Sequence, residues 1–165
     1  MIIQNARRTA VALALALVAV AATSAQAQTA TQTVTFAVNA INQISFAGAP
    51  SLTITTATAG SAPTSVTDAT ASWAVTTNQT GAKITASIPL AMPAGLTLSS
   101  SLAAPAAATS AGFLALGTVA VDLVTGITKL AQNALGVTYK LDATAAAGVV
   151  ASSTRVVTYT ITGGT

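Results

Sequence analysis

The chain has no cysteine, no histidine and no glutamate, and only 5% of its 165 residues are charged. Without cysteine there is neither a disulfide nor a thiolate, so a domain of this size must be held by its core alone. Without histidine and cysteine, zinc and copper lack almost all their usual ligands. A Ser-His-Asp or Cys-His arrangement cannot be assembled at all. The acidic residues are Asp68, Asp122 and Asp142, well separated in sequence and outside any DxDxDG-type loop. A carboxylate pair for glycoside cleavage or a calcium site would have to be gathered from these three, and solvated turn aspartates are the simpler expectation. The sequence thus supplies no catalytic residue, no metal ligand set and no cofactor site, and the chain is read as non-enzymatic.

Positive charge is scarce as well. Arg7 and Arg8 end a basic segment, residues 9–22 form an apolar run, and Ala25-Gln26-Ala27 supplies a small-x-small site. This is the pattern of a secretory signal peptide over residues 1–27, cleaved after Ala27. The apolar run is short for a bilayer-spanning helix. The residues around Arg7-Arg8 lack the rest of a twin-arginine signal, so ordinary export is expected, with membrane contact only during export. The remaining chain then carries Lys83, Lys129, Lys140 and Arg155 against three aspartates, four minus three, or plus one. No basic patch exists to neutralise phosphates, which excludes nucleic acid as a partner. A surface so poor in charge also offers little electrostatic resistance to self-association.

What the chain has in quantity is short alternating runs. Leu52 and Ile54, Trp73 and Val75, and Ile84, Ala86 and Ile88 repeat with a period of two. So do Leu96, Leu98 and Leu102; Val119, Val121 and Leu123; Val137, Tyr139 and Leu141; and Val157, Tyr159 and Ile161. Threonine fills many intervening positions, where its branched carbon suits an exposed strand face. Gly/Pro/Asn clusters at residues 48–50, 60–63, 78–81, 92–95 and 103–105 separate the runs. Evenly spaced short strands predict an all-β, immunoglobulin-like or pilin-like antiparallel sandwich of about seven to nine strands. Residues 125–134 are open between a helical turn and a crossover loop, and residues 143–153 read as a loop leading into a strand. A transmembrane barrel is disfavoured, because Phe36, Phe46, Trp73, Phe113, Tyr139 and Tyr159 are too few for two aromatic girdles.

Three further features have two readings each. Asn78-Gln79-Thr80 matches a glycosylation sequon, but a hairpin turn is the simpler reading. Trp73, Tyr139 and Tyr159 could form a platform for sugar rings, yet they lie in the apolar phase of their strands and are expected in the core. Lys83 and Lys140 flank strands as edge or surface residues.

The longest alternation comes first in the exported chain. In TVTFAVNAINQISFAG, residues 33–48, the even positions carry Val34, Phe36, Val38, Ala40, Ile44 and Phe46, interrupted only by Asn42. Such a run can be the first strand of its own sandwich, bent near Asn39-Ala40 or Asn42-Gln43. It can equally be a segment offered to the open sheet edge of a neighbour, where main-chain hydrogen bonds give affinity and alternate side chains fill a groove. The organisation expected is a signal over 1–27, an extended strand over 28–48 and a sandwich body over 49–165.

The signal, the alternating first strand, the Thr/Ala-rich body and the closing RVVTYTIT at residues 155–162 resemble bacterial pilin-like and spore-coat-type surface-fibre subunits. The resemblance implies assembly by donor-strand exchange, with Val34, Phe36, Val38, Ala40, Ile44 and Phe46 at the subunit interface. It implies a homopolymer as partner, with a periplasmic chaperone or surface assembly factor as a further candidate, and a location outside the cell or at its surface. The chain departs from many chaperone-assembled pilins in having no disulfide. SWAVTTN (72–78) and VVTYTIT (156–162) are also similar to other bacterial surface sandwich domains. The alternative function is therefore a secreted adhesin or carbohydrate-binding module. Mass spectrometry of the exported protein is expected to give Gln28 as its first residue; a chain retaining Arg7 and Arg8 contradicts the cleavage site.

Overall fold

The structure, a computed structural model, describes residues 26–165; the signal peptide read from the sequence lies almost wholly outside them. The described chain divides into a segment ending at Ala37 and a body, Val38–Thr165. Residues 26–41 form no strand, and all of them are exposed.

The body is all-β, with no α-helix among the described residues. Its strands are β1 (Asn42–Ala47), β2 (Val66–Thr77), β3 (Ala82–Ser87), β4 (Leu96–Leu102), β5 (Thr109–Ser110), β6 (Leu114–Ala115), β7 (Val121–Ile127), β8 (Leu130–Ala143) and β9 (Thr158–Thr162). One sheet runs β1-β2-β8-β4-β6 and the other β5-β7-β3-β9, with every pairing antiparallel. The predicted sandwich is the observed architecture.

The period-two pattern explains which side chains meet between the sheets. Along β2 the inward set is Ala71, Trp73, Val75 and Thr77, and along β3 it is Ala82, Ile84 and Ala86. Leu135, Val137 and Tyr139 of β8 complete the same core with Leu102, Leu123 and Ile127. Each large aliphatic or aromatic side chain removed from water contributes roughly 1.5–3 kcal/mol. Trp73 lies near the centre at 2% exposure, and its indole Nε1 has no hydrogen-bond partner.

Several boundaries differ from the sequence expectation, for physical reasons. Residues 125–134 are neither helix nor long loop: β7 runs to Ile127, β8 starts at Leu130, and Thr128-Lys129 joins the two sheets. The stretch contains a bulge, because Trp73 faces Leu135 whereas Val75 faces Gln132. One extra residue of β8 is thereby accommodated, and Ala134 takes a left-handed φ of 54°. A second irregularity falls between Asp68 and Ala71 of β2. There the Asp68 carboxylate accepts from the Thr70 backbone N–H and hydroxyl, replacing ladder bonds that the bulge removes. Leu52 and Ile54 are half-buried on alternate positions, as their pattern requires, but they lie in no strand. Val119 is exposed ahead of β7, and β9 starts only at Thr158.

Gly48 fixes how β1 ends. Its φ is 109°, and a Cβ there would come within 2.7 Å of the Ala71 Cα. Only glycine permits both the backbone angle and the approach.

Replacing Trp73 with alanine is expected to lower unfolding free energy by about 3–5 kcal/mol, the range for large core aromatics. Val119→Ala, at an exposed site, is expected to change it by less than about 0.5 kcal/mol. Denaturant titration of both variants checks the contrast.

Candidate functional site

The first alternating run divides in two at Asn42. Downstream, Asn42–Ala47 adds to the edge of its own sheet, with Ile44 facing Val75 and Phe46 facing Trp73. Upstream, Val34, Phe36 and Val38 are exposed at 73%, 89% and 79%. Of the six residues expected at a subunit interface, Ile44 and Phe46 therefore pack against their own core, while Val34, Phe36, Val38 and Ala40 do not. The extended strand expected over 28–48 is a true strand only over its last part.

Asn42 marks the division for a chemical reason. It occupies the inward register, where an amide in an apolar core would be costly. At the end of the sheet it finds polar partners instead: its Oδ1 accepts from the Thr77 hydroxyl at 2.7 Å, and its Nδ2 donates to Gln79 Oε1 at 2.8 Å. One residue on, Asn78 holds the root of the exposed segment. Its Oδ1 accepts from the Ile41 N–H at 2.8 Å, its Nδ2 donates to the Asn39 carbonyl at 2.8 Å, and its backbone N–H donates to the Ile41 carbonyl at 3.3 Å. The Asn78-Gln79-Thr80 tripeptide thus sits in the β2–β3 turn, with the Asn78 amide engaged in fixing the incoming chain.

Phe46 carries the other half of the arrangement. Its ring stacks on Tyr159 at a centroid separation of 3.9 Å and on Trp73 at 6.0 Å, with interplanar angles of 11° and 12°. Since Phe46 belongs to the edge strand β1 and Tyr159 to the edge strand β9, this stack joins the two sheets along one side. Tyr159 shares a 2.7 Å hydroxyl contact with Tyr139 and a 3.2 Å contact with Ser100. Burial is the main reason both phenols are held above the ordinary tyrosine value; their shared hydrogen bond favours ionisation of Tyr139 before Tyr159. The three aromatics weighed as a sugar platform are thus two buried core residues and one stacked edge residue.

The aspartates are engaged separately. Asp122 pairs with Lys83 at 3.1 Å on the surface. Asp142 pairs with Lys140 at 3.0 Å and accepts from the Ser65 hydroxyl, the larger cause of its lowered pKa. Asp68 is lowered chiefly by the Thr70 hydroxyl, then by the Ser51 and Thr70 backbone N–H groups. Among the described residues, no three acidic, histidine or cysteine side chains gather into a metal-binding group.

A cleft of about 630 Å³ opens at the other end of β2, where Val66 faces Leu141 and Leu96 faces Ala143. Leu52, Ile54, Met92, Leu96, Leu141 and Val150 give it apolar walls. Its position could not be read from the sequence, because residues 52–56 and 144–153 form most of its sides without belonging to strands. A smaller hollow of about 350 Å³ lies at the Asn78 end, beside Ile41 and Leu130. No protein-family model matches the chain, and neither a curated protein nor a solved structure is significantly similar to it.

The tyrosine pair gives the fold an alkaline limit. An unfolded tyrosine ionises near pH 10, while Tyr139 and Tyr159 resist ionisation in the folded chain. Their contribution is complete below about pH 10 and is lost as pH rises toward the folded values. Denaturant midpoints are expected to be flat across neutral pH and to fall above about pH 10, with a shallower fall in Tyr139→Phe/Tyr159→Phe. An equally steep fall in that double variant contradicts the assignment.

Proposed function

We propose that this chain is a secreted, non-enzymatic structural subunit of a bacterial surface fibre or coat, assembling with copies of itself by β-strand addition. The observation that carries the reading is the exposed alternation of Val34, Phe36 and Val38 on a segment with no strand partner. Burying these three side chains against a neighbour is worth roughly 5–8 kcal/mol in gross terms. That is comparable with the cost of association, so the main-chain hydrogen bonds of an added strand complete the affinity. Thr31, Thr33 and Thr35 on the other register favour an extended backbone without adding apolar surface. A net charge of plus one on the exported chain places little repulsion between copies.

The lack of histidine, cysteine and glutamate supports a structural role over an enzymatic one. The alternative, an adhesin or carbohydrate-binding module with Trp73, Tyr139 and Tyr159 as its platform, is disfavoured because Trp73 and Tyr139 are buried. A periplasmic chaperone or surface assembly factor remains a candidate partner in the producing cell, where it would cover the same apolar segment before assembly.

Electron microscopy of the concentrated exported protein is expected to show fibres. Deleting residues 29–40, while keeping β1, is expected to leave monomers whose melting temperature matches that of the intact chain. Monodisperse monomers of the intact protein, or fibres undiminished by the deletion, would falsify the reading.

A further inference from the structure

We infer that the acceptor for the N-terminal segment is the cleft at the Val66 end of β2 in a second copy of this chain, with Phe36 and its alternate neighbours entering against Leu52 and Ile54. The inference rests on the proposed assembly by strand addition and adds the surface that receives the strand.

The segment cannot place these side chains in the cleft of its own molecule. Asn39 and Ile41 are tied to Asn78, beside the last residue of β2, whereas the cleft lies at the first. β2 has 12 residues, so the ends are separated by roughly 35 Å at a strand rise of ~3.3 Å. Phe36 is three residues from Asn39 and can reach at most about 11 Å from it; Val34 can reach about 18 Å. Phe36 and Val34 are thus out of covalent reach of the cleft of their own subunit, and the occupant we assign to it is the segment of another copy.

Three properties of the cleft match that occupant. Among the described residues, neither residues 52–55 nor residues 149–157 make a backbone-to-backbone hydrogen bond. Apart from the Thr154 carbonyl, which accepts from Arg155 Nη1 at 2.9 Å, their N–H and carbonyl groups are free to pair with an incoming chain, as a sheet edge is. The apolar surface is also in place: Leu52 and Ile54 face inward on alternate positions, and Val149, Val150 and Val156 are exposed in the second segment. Finally, residues 28–41 carry no charged side chain, and none lines the cleft, so docking of Val34 to Val38 strands no ion in an apolar site. With the donor at one end of the body and the acceptor at the other, the contact is heterologous and each added copy presents a fresh cleft.

The cysteine-free background allows a direct test, since a disulfide forms only between closely placed Cβ atoms. Exported Phe36→Cys protein is mixed with Ile54→Cys protein, or separately with Val150→Cys, allowed to assemble, and oxidised. A parallel mixture uses Leu130→Cys, in the smaller hollow at the Asn78 end. Cross-linked heterodimers are expected with Ile54→Cys or Val150→Cys and lost with Leu130→Cys. As a second measurement, a peptide of residues 29–39 is expected to bind wild-type protein and stop its fibre growth, whereas Ile54→Lys protein of unchanged melting temperature is expected to bind no peptide and to form no fibres. Fibres that form while Phe36→Cys links to Leu130→Cys, or to neither cleft position, overturn the acceptor assignment and leave strand addition standing. Absence of polymer from the wild-type chain overturns both.

Discussion

The stack of Phe46 between Trp73 and Tyr159 is the contact on which the N-terminal half of the structure depends. Trp73 is the largest side chain in the core, Tyr159 belongs to the opposite sheet, and Phe46 comes from the first strand. By touching both, Phe46 holds β1 on its own sheet and β9 against it. The hydroxyls of Tyr159, Tyr139 and Ser100 extend the lock into polar contacts, so the side of the sandwich is closed without a disulfide. Once Phe46 is placed, the β1 register follows, and Asn42 must arrive opposite Thr77.

That register determines where the first strand stops belonging to its own body. Phe46 and Ile44 have core partners, but Asn42, next along the same phase, meets Thr77 and Gln79 at the end of the sheet. Beyond it the apolar phase continues through Ala40, Val38, Phe36 and Val34 with no sheet beside it. The hydrophobic pattern is therefore longer than the core available to it. A polar residue within an apolar register is tolerated where it can be hydrogen-bonded, and here that place is the boundary between the packed and unpacked parts.

Much of this was legible in the sequence, and the exceptions have physical causes. Alternation identified the inward faces of β2, β3, β4 and β8, because a strand buried on one face has no freedom to slip by one residue. It could not locate the bulges at Ala134 and near Thr70, where an extra residue breaks the period while the strand continues. This is why residues 125–134 resembled a loop. Asn42 stood out as an interruption, but sequence alone left open whether it bent a strand or ended a core. The cleft was the least legible feature: residues 52 and 54 have a strand pattern, yet they pair with no strand of the body.

The two unmatched features have the same physical form. The N-terminal segment has strand-like side-chain alternation and no sheet; residues 52–55 have strand-like alternation and no ladder. In a single copy each is left partly in water, and chain length keeps the apolar residues of the first away from the second. A body stabilised only by its core gains little from leaving both unfilled. A neighbouring copy can satisfy the two together, since one incoming strand covers apolar surface and pairs free backbone groups at once. The same scarcity of charge that removes electrostatic resistance to this contact also removes any charged gatekeeper from the exposed segment. In the proposed fibre that stickiness is what assembly uses, and the hydrogen bonds of Asn78 to the root of the segment fix the end of the body from which it leaves.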